Sequence, residues 1–193
     1  MKLYKRKIFD KIQPYLGDDT VVVLHGARQV GKTHILFYIR DWLLGKGRKV
    51  FYYDLEYPEL LVDLNRGVEV FISDLVGKGY VKGEETYVLV DEIQYLDNPS
   101  SFLKIIADHY KNIHLIVSGS STFDIKSKFK DSLAGRKKIF TLLTLTFKEF
   151  LKFKNEAEAS QKDLKNLTMS ETDKIKPLFA EYITYGGYPR VIL

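Results

Sequence analysis

Several kinds of chemistry are excluded by what this sequence lacks. It contains no cysteine, so disulfides, thiol catalysis and cysteine-ligated zinc are excluded. Its four histidines show no spacing typical of a metal site. No apolar run approaches the roughly 20 residues needed to cross a bilayer. The basic start of the chain is not followed by an uninterrupted apolar segment, which argues against a secretory signal. We therefore expect a cytoplasmic protein with no membrane partner.

The composition is that of an ordinary soluble domain. Hydrophobic residues make up 45% of the 193 residues and charged residues 28%. This length suits one domain with room for a small appendage. The net charge of +5 permits contact with nucleic acid or acidic surfaces but does not require it.

One octapeptide matches a phosphate-binding loop at every fixed position. The sequence Gly-Ala-Arg-Gln-Val-Gly-Lys-Thr fits the pattern G-x-x-x-x-G-K-[ST] and follows the apolar run Val21–Leu24. The pattern predicts a strand from about Thr20 to His25 and a helix from Lys32 to Leu44. The alternative is a glycine-rich turn that happens to carry a lysine. The predicted nucleotide-binding residues are Gly26, Ala27, Arg28, Gln29, Val30, Gly31, Lys32, Thr33 and His34.

The spacing in this loop has a chemical reason. Gly26 and Gly31 allow positive φ and close approach, so that backbone N–H groups can surround an anion at a helix N-terminus. Lys32 is predicted to contact the β- and γ-phosphates, and the Thr33 hydroxyl to ligate a bridging Mg²⁺. Arg28 occupies a variable position, where it is either solvated or in contact with ligand.

A second motif follows the third predicted strand. Residues 86–90 are apolar and end directly in Asp91 and Glu92. Asp91 is predicted to hold the hydration shell of Mg²⁺, and Glu92 to orient and polarise the attacking water. The alternative for both is a helix N-cap with an acidic first turn. Asp54 and Glu56, after the second strand, either support this site or bond to the next turn.

Two later stretches carry further candidates. Ser118 and Ser120 follow the fourth predicted strand, where they either contact the γ-phosphate or lytic water or form a simple turn. A basic segment from Lys126 to Lys138 is either a solvated face or a contact for nucleic acid. Its cations are Lys126, Lys128, Lys130, Arg136, Lys137 and Lys138.

The predicted elements alternate between strands and helices. Further strands are expected at 49–55, 113–117 and 139–145, and a helix with a capping box begins at Thr146 with Glu149. Residues 155–173 are predicted to be a loop or weak helix before a last helix from Lys176 to Tyr185. We therefore expect an α/β core over residues 1–154, and over 155–193 a linker that starts a helical lid or a following domain. The apolar ending suggests a piece of a longer protein.

In order along the chain, these motifs resemble a family of archaeal and bacterial AAA-type ATPases that usually carry a C-terminal domain of unknown function, often nuclease-like. The matching pieces are the octapeptide, Tyr53–Glu56, Val90–Gln94, Ser118–Ser121, Gly135-Arg136, Leu142–Leu151 and Gly186–Pro189. The resemblance implies a three-layer P-loop fold of the additional-strand, catalytic-glutamate type, with a five-stranded parallel sheet in the order 5-1-4-3-2. His34 departs from the family, which often has a second threonine there.

The resemblance also implies roles and a nucleotide. Ser118 or Ser120 falls in the sensor region, and Arg136 is a candidate arginine finger or γ-phosphate sensor, acting within its own subunit or on a neighbour. The alternative for Arg136 is a salt bridge at a helix end. No Asn-Lys-x-Asp guanine-reading motif is present, and the family favours ATP/ADP with Mg²⁺.

Three functions follow from these expectations. The first is an ATP-binding, Mg²⁺-dependent ATPase or nucleotide switch that could assemble with itself or a partner protein, built on Lys32, Thr33, Asp91 and Glu92. The second is a small-molecule kinase that uses the same loop, although the acidic pair favours water as the nucleophile. The third is a nucleotide-dependent module that binds DNA or a partner through the basic segment without significant hydrolysis.

Overall fold

A five-stranded parallel sheet forms the centre of the protein. The computed structural model describes residues 3–120, 133 and 135–192. The strands are β1 (Val21–Gly26), β2 (Lys49–Asp54), β3 (Thr86–Asp91), β4 (Ile113–Ser120) and β5 (Lys137–Leu142). Their order in the sheet is β2-β3-β4-β1-β5, and every pairing is parallel. Read from the other edge, this is the order 5-1-4-3-2, so the predicted fold class is confirmed.

Helices connect the strands and cover both faces of the sheet. They are α1 (Lys7–Ile12), α2 (Lys32–Leu44), α3 (Pro58–Asn65), α4 (Val68–Gly77), α5 (Pro99–His109), α6 (Phe147–Phe153), α7 (Ala157–Gln161), α8 (Met169–Tyr185) and α9 (Pro189–Ile192). Single 3₁₀ turns follow α1 at Gln13–Tyr15 and β3 at Ile93–Tyr95. No helix in the described part of the chain is long and apolar enough to cross a membrane.

The alternation of side chains along β1 explains the three layers. Val21 and Val23 point to one face, where they join a core formed with α3, α4 and α5. Val22 and Leu24 point to the other face, where they pack in a second core with α1 and α2. All four side chains are buried because a strand in the middle of a parallel sheet is covered on both sides.

A third, smaller cluster joins the C-terminal helices to the sheet. Leu145 and Phe150 are buried in it, together with Leu151 and Ile192. The Leu145 N–H donates to the Gly187 carbonyl at 2.7 Å, and the Tyr182 hydroxyl donates to the Leu145 carbonyl at 2.8 Å. These bonds hold the chain around Gly187 beside the end of β5.

Three of the predicted ends differ from the structure by three residues or more. α8 begins at Met169, well before Lys176, because Thr168 and Glu171 form a capping box that starts the helix early. β4 extends to Ser120, since its pairing with β1 continues to Gly26. β5 ends at Leu142, where its pairing with β1 also ends at Gly26.

Candidate functional site

The loop between β1 and α2 has the backbone of an anion-binding nest. Gln29 has φ of +66° and Gly31 has φ of +95°. Left-handed residues of this kind occur in backbone turns whose N–H groups form an anion-binding concavity. Gly31 then caps α2, whose first residue is Lys32. At the start of the loop, a Cβ on Gly26 would overlap the backbone carbonyl of Leu142 at the end of β5. Glycine is therefore required at position 26 by close packing and at position 31 by backbone conformation.

Lys32 places its ammonium group at the mouth of this loop. The residue is only 5% exposed. Its Nζ lies 3.4 Å from the Ala27 carbonyl oxygen and 3.5 Å from Oε1 of Glu92. The predicted phosphate-contacting cation and the predicted water-activating carboxylate are thus neighbours, although they are 60 positions apart in the sequence.

Asp91 is the last residue of β3 and is held by donors on two adjacent strands. It is 2% exposed. Tyr52 on β2 donates to Oδ2 at 3.1 Å, and Ser118 on β4 donates to Oδ1. Burial raises the pKa of Tyr52, and the charges of Asp91 and Asp54 raise it further.

Glu92 takes an unusual backbone conformation next to this aspartate. Its φ of +54° lies in the left-handed region, which non-glycine residues seldom adopt. Its N–H lies 3.2 Å from both Asp91 Oδ1 and Ser118 Oγ. The Gln94 amide donates to Glu92 Oε2, and Gln94 Oε1 accepts from the Ser120 N–H at 3.3 Å. The ends of β3 and β4 therefore fix the carboxylate that faces Lys32.

Lys32, Glu92 and Gln94 line a cleft of about 830 Å³. One wall is the phosphate loop, a second is the chain after β3, and a third is the start of α9. The lining residues are Arg28, Gln29, Gly31, Lys32, Thr33, His34, Glu56, Glu92, Gln94, Tyr95, Pro189 and Arg190. Val30, by contrast, points away from the cleft into the core, where it is 2% exposed. The volume is in the range of small-molecule and cofactor sites.

The residues present fit a nucleotide phosphate chain with Mg²⁺. Three features favour an anion: the backbone N–H groups of the phosphate loop, the buried ammonium of Lys32 and the N-terminus of α2. The Thr33 hydroxyl and the Asp91 carboxylate are oxygen ligands of the kind that Mg²⁺ uses, with phosphates completing the set. No group of three or more histidine, aspartate or glutamate side chains that could hold a metal occurs in the described parts of the chain.

Arg136 lies away from this cleft. Its carbonyl accepts from the Val21 N–H at 2.8 Å, which places it before β5 at the amino edge of the sheet. The phosphate loop begins at Gly26, which is five residues after Val21 on β1. At the rise of a strand, this separates it from Val21 by about 17 Å. Arg136 pairs with Asp108 in the last turn of α5, and its side chain is 52% exposed. The salt bridge at a helix end, which was the alternative prediction for Arg136, is therefore observed. Its role at a γ-phosphate stays a prediction.

The other candidates separate into those near the cleft and those elsewhere. Ser118 bonds to Asp91 and is fully buried, so it supports the carboxylate. Asp54 Oδ1 accepts from the Glu56 N–H at 3.0 Å, which is the turn contact expected as its alternative role. Lys126, Lys128 and Lys130 lie outside the described residues. Lys137 and Lys138 lie on β5, the edge strand of the sheet beside β1.

Comparison with known proteins identifies the family. The family model described as an AAA domain matches residues 18–151, which include the whole loop, the acidic pair and β1 to β5. The chain belongs to this AAA domain family. An uncharacterized protein of Methanocaldococcus jannaschii is 31% identical over 98% of the chain. The chain spans 40% of the length of that relative.

Solved AAA-like structures share the fold. PCH-2 of C. elegans superimposes with a TM-score of 0.67 at 12% identity, over 98% of this chain and 61% of that one. AMPPCP-bound DnaA from Aquifex aeolicus superimposes with a TM-score of 0.52 at 14% identity, over 96% of this chain and 57% of that one. At these identities the likeness shows the P-loop fold of the AAA domain.

The residues of this AAA domain's cleft and its surroundings that were not predicted from sequence include Tyr52, Gln94, Arg190 and Arg6. Tyr52 and Gln94 contact the acidic pair, Arg190 lines the cleft, and Arg6 bonds to the phosphate loop. Gln94 stands two residues after Glu92 in the motif that follows β3, and this spacing could have indicated a contact between the two side chains. The other three come from distant parts of the chain, and no local pattern indicates them.

Proposed function

We propose that this AAA domain binds ATP with Mg²⁺ and hydrolyses the bond between its β- and γ-phosphates, as an ATPase or a slowly cycling nucleotide switch. The observation that carries the proposal is the pairing of Lys32 with Glu92 at 3.5 Å beside the buried carboxylate of Asp91. A phosphate-binding cation, a metal-binding carboxylate and a potential base thus meet at one edge of the sheet. Water is the acceptor that such a base would activate.

The roles of the residues follow from their positions. The loop amides and Lys32 bind and orient the phosphates, and Thr33 and Asp91 would hold Mg²⁺. When bound, that ion neutralises charge on the phosphate oxygens. Glu92 orients a water and takes up its proton, while Gln94 keeps the carboxylate in place. Ser118 and Tyr52 hold Asp91 in one orientation.

ATP is the proposed nucleotide for two reasons. The guanine-reading motif Asn-Lys-x-Asp is absent from the sequence. The DnaA structure that shares this fold was solved with AMPPCP, an adenine nucleotide analogue. Arg190 in α9 and His34 in α2 also line the cleft and are additional groups that could contact the nucleotide.

Arg136 is proposed to act on the nucleotide of a neighbouring subunit. Its side chain is half exposed, and its backbone lies about a strand's length from its own phosphate loop. An arginine supplied by a neighbour can accelerate phosphoryl transfer by about 10³ to 10⁵. Self-association would then be required for full activity.

Replacement of Glu92 by glutamine tests the proposal. Glu92→Gln keeps the size and a hydrogen-bonding group but removes the base, so ATP should still bind while phosphate release slows by about 10² to 10⁴. Glu59→Gln, an exposed carboxylate on α3, is the matched control and should hydrolyse at the wild-type rate. Unchanged turnover in Glu92→Gln would remove this residue from the mechanism.

The same assay separates an ATPase from a kinase. Hydrolysis releases one inorganic phosphate for each ADP formed. A deficit of phosphate in the presence of a metabolite mixture would show transfer to another acceptor. Hydrolysis that is absent in all conditions, with nucleotide-dependent DNA binding intact, would support the binding module instead.

A further inference from the structure

Arg6 contacts the phosphate loop from outside the cleft. It precedes α1 and is 5% exposed, although it stands in a basic stretch that composition would place on the surface. Its Nη1 donates to the Val30 carbonyl at 3.1 Å. A buried guanidinium is uncommon and persists only where its donors are paired. Its partners therefore indicate what it does.

The Val30 carbonyl lies between the two residues of the loop that have positive φ. Positive φ at Gln29 and at Gly31 directs the loop's N–H groups toward the anion site. The Val30 carbonyl between them meets the buried side chain of Arg6, which is not among the cleft's lining residues. Left without a donor there, a buried carbonyl destabilises the conformation that exposes the amides. Arg6 supplies that donor.

The remaining donors of Arg6 anchor it to the end of β5 and to α6. Nη2 lies 3.0 Å from the Leu143 carbonyl and 3.2 Å from that of Thr144, and Nε donates to Glu149 Oε1 at 2.8 Å. The same carboxylate accepts from the Lys7 N–H at 2.9 Å and closes the capping box of α6 with Thr146. Arg6 is therefore fixed in position independently of the loop.

The chain segment that Arg6 binds is also bonded to the segment that forms the opposite wall of the cleft. Leu145, next to the carbonyls that Arg6 binds, bonds to Gly187 and accepts from Tyr182. Two residues after Gly187, Pro189 lies beside the phosphate loop: its Cγ would be 3.8 Å from a Cβ placed on Gly31. One guanidinium thus lies at the junction of the phosphate loop with the segment that leads to Pro189 and Arg190.

We propose that Arg6 is a positioning residue of the nucleotide site, which holds the phosphate loop in its anion-binding conformation through the Val30 carbonyl. This inference rests on the proposed function, since it concerns the same loop. Arg6 does not line the cleft, so kcat at saturating ATP should change little. Nucleotide affinity and the KM for ATP should change, because Arg6 holds the loop that binds the phosphates.

The test compares the nucleotide affinities of variants that are all folded under the conditions of measurement. A fluorescent ADP derivative, mant-ADP, is titrated into the full chain at a temperature well below each variant's thermal midpoint. Arg6→Ala should raise Kd by about tenfold or more, as expected when a charged donor to a buried carbonyl is lost. Arg6→Lys, which keeps the charge but not the fork, should fall between Arg6→Ala and wild type.

A control variant separates positioning from general destabilisation. Leu75→Ala removes a fully buried side chain from the core on the far face of the sheet and should lower the thermal midpoint strongly. Its Kd for mant-ADP should stay within about twofold of wild type, because distant sites are usually independent. Equal Kd values for Arg6→Ala and wild type, or an equal loss of affinity in Leu75→Ala, would overturn the inference.

Failure of the proposed function gives a different result. If wild type does not bind mant-ADP, the nucleotide site itself is wrong, whatever the variants do. If wild type binds and Arg6→Ala does not fold, Arg6→Lys and Glu149→Gln decide. Both should fold, and both should weaken mant-ADP binding; wild-type Kd values in both would contradict a positioning role.

Discussion

Two glycines in the phosphate loop are glycines for different reasons. Gly31 has positive φ, and a Cβ there would make only ordinary contacts, whereas Gly26 is limited by the Leu142 carbonyl of the neighbouring strand. A methyl group at 26 must push β5 away from β1 or move the loop. The loop sequence predicts both glycines, but only the pairing of β1 with β5 gives the reason for the first.

Gly26→Ala should therefore lower the thermal midpoint and weaken nucleotide binding. The backbone contact leaves no flexible side chain to move aside, so overpacking should cost about 1 to 3 kcal/mol. Thermal unfolding with and without ADP measures both effects. Gly77→Ala is the control, because no atom lies near the added methyl at this helix end. A Gly26→Ala protein as stable as Gly77→Ala would contradict the packing argument.

Tyr52 offers a test of how Asp91 is held. Removing its hydroxyl in Tyr52→Phe leaves the ring packed against Phe37 but frees one carboxylate oxygen of Asp91. Since a second donor, Ser118, remains, we expect a several-fold rise in the Mg²⁺ concentration that gives half-maximal hydrolysis. ADP binding without Mg²⁺ should be unchanged. If the Mg²⁺ dependence does not move, Tyr52 contributes only packing.

At the scale of elements, side-chain caps mark the starts of α5, α6 and α8. The capping box of Thr146 with Glu149 was predicted and is present, and α2 has the predicted bounds because glycine limits it on both sides. The second capping box, Thr168 with Glu171, has the same spacing, but the polar sequence around it obscured the helix. Local patterns thus predict helix starts, but they do not predict that Glu149 also binds Arg6.

Acidification should expose the role of Glu149. Burial alone would raise the pKa of Glu149, but hydrogen bonds from Arg6 and from the N–H groups of Thr146 and Lys7 outweigh it and lower the pKa below the usual 4.5. A carboxylate whose pKa is lower in the folded than in the unfolded protein stabilises the fold at pH values above its unfolded pKa. This stabilisation is lost as the pH falls through its folded pKa. Wild type should lose stability below pH 4.5 more steeply than Glu149→Gln, which starts less stable at pH 7. Parallel curves of unfolding free energy against pH would contradict this contribution.

At the scale of the whole molecule, the sheet order places the site. Since β1 lies between β4 and β5, with β3 beyond β4, the loop after β1 and the acidic pair after β3 meet at one edge. Alternating strands and helices, with the family resemblance, were enough to predict this order. The position of Arg136 at the other edge follows only from the register of β5 with β1, which sequence patterns do not provide. The division of the chain at residue 154 stays a prediction.

Mixing two inactive variants tests whether Arg136 acts between subunits. Arg136→Ala keeps its own phosphate loop, and Lys32→Ala keeps its Arg136. If the guanidinium serves a neighbouring site, each variant alone should be nearly inactive, whereas the mixture should recover hydrolysis. Wild-type hydrolysis per molecule should also rise with protein concentration. No recovery on mixing, or full activity of Arg136→Ala, would assign this arginine to its salt bridge with Asp108.

Titration of the purified chain with ATP and Mg²⁺, followed by calorimetry, tests the phosphate site most directly. Wild type should bind one ATP per chain, and Lys32→Ala should bind at least about tenfold more weakly because it lacks the buried ammonium that contacts the phosphates. Lys46→Ala, which removes a lysine packed over Trp42 beyond the far end of α2, should bind like wild type. An absence of binding by wild type, or equal affinities of wild type and Lys32→Ala, would contradict a nucleotide site in this loop.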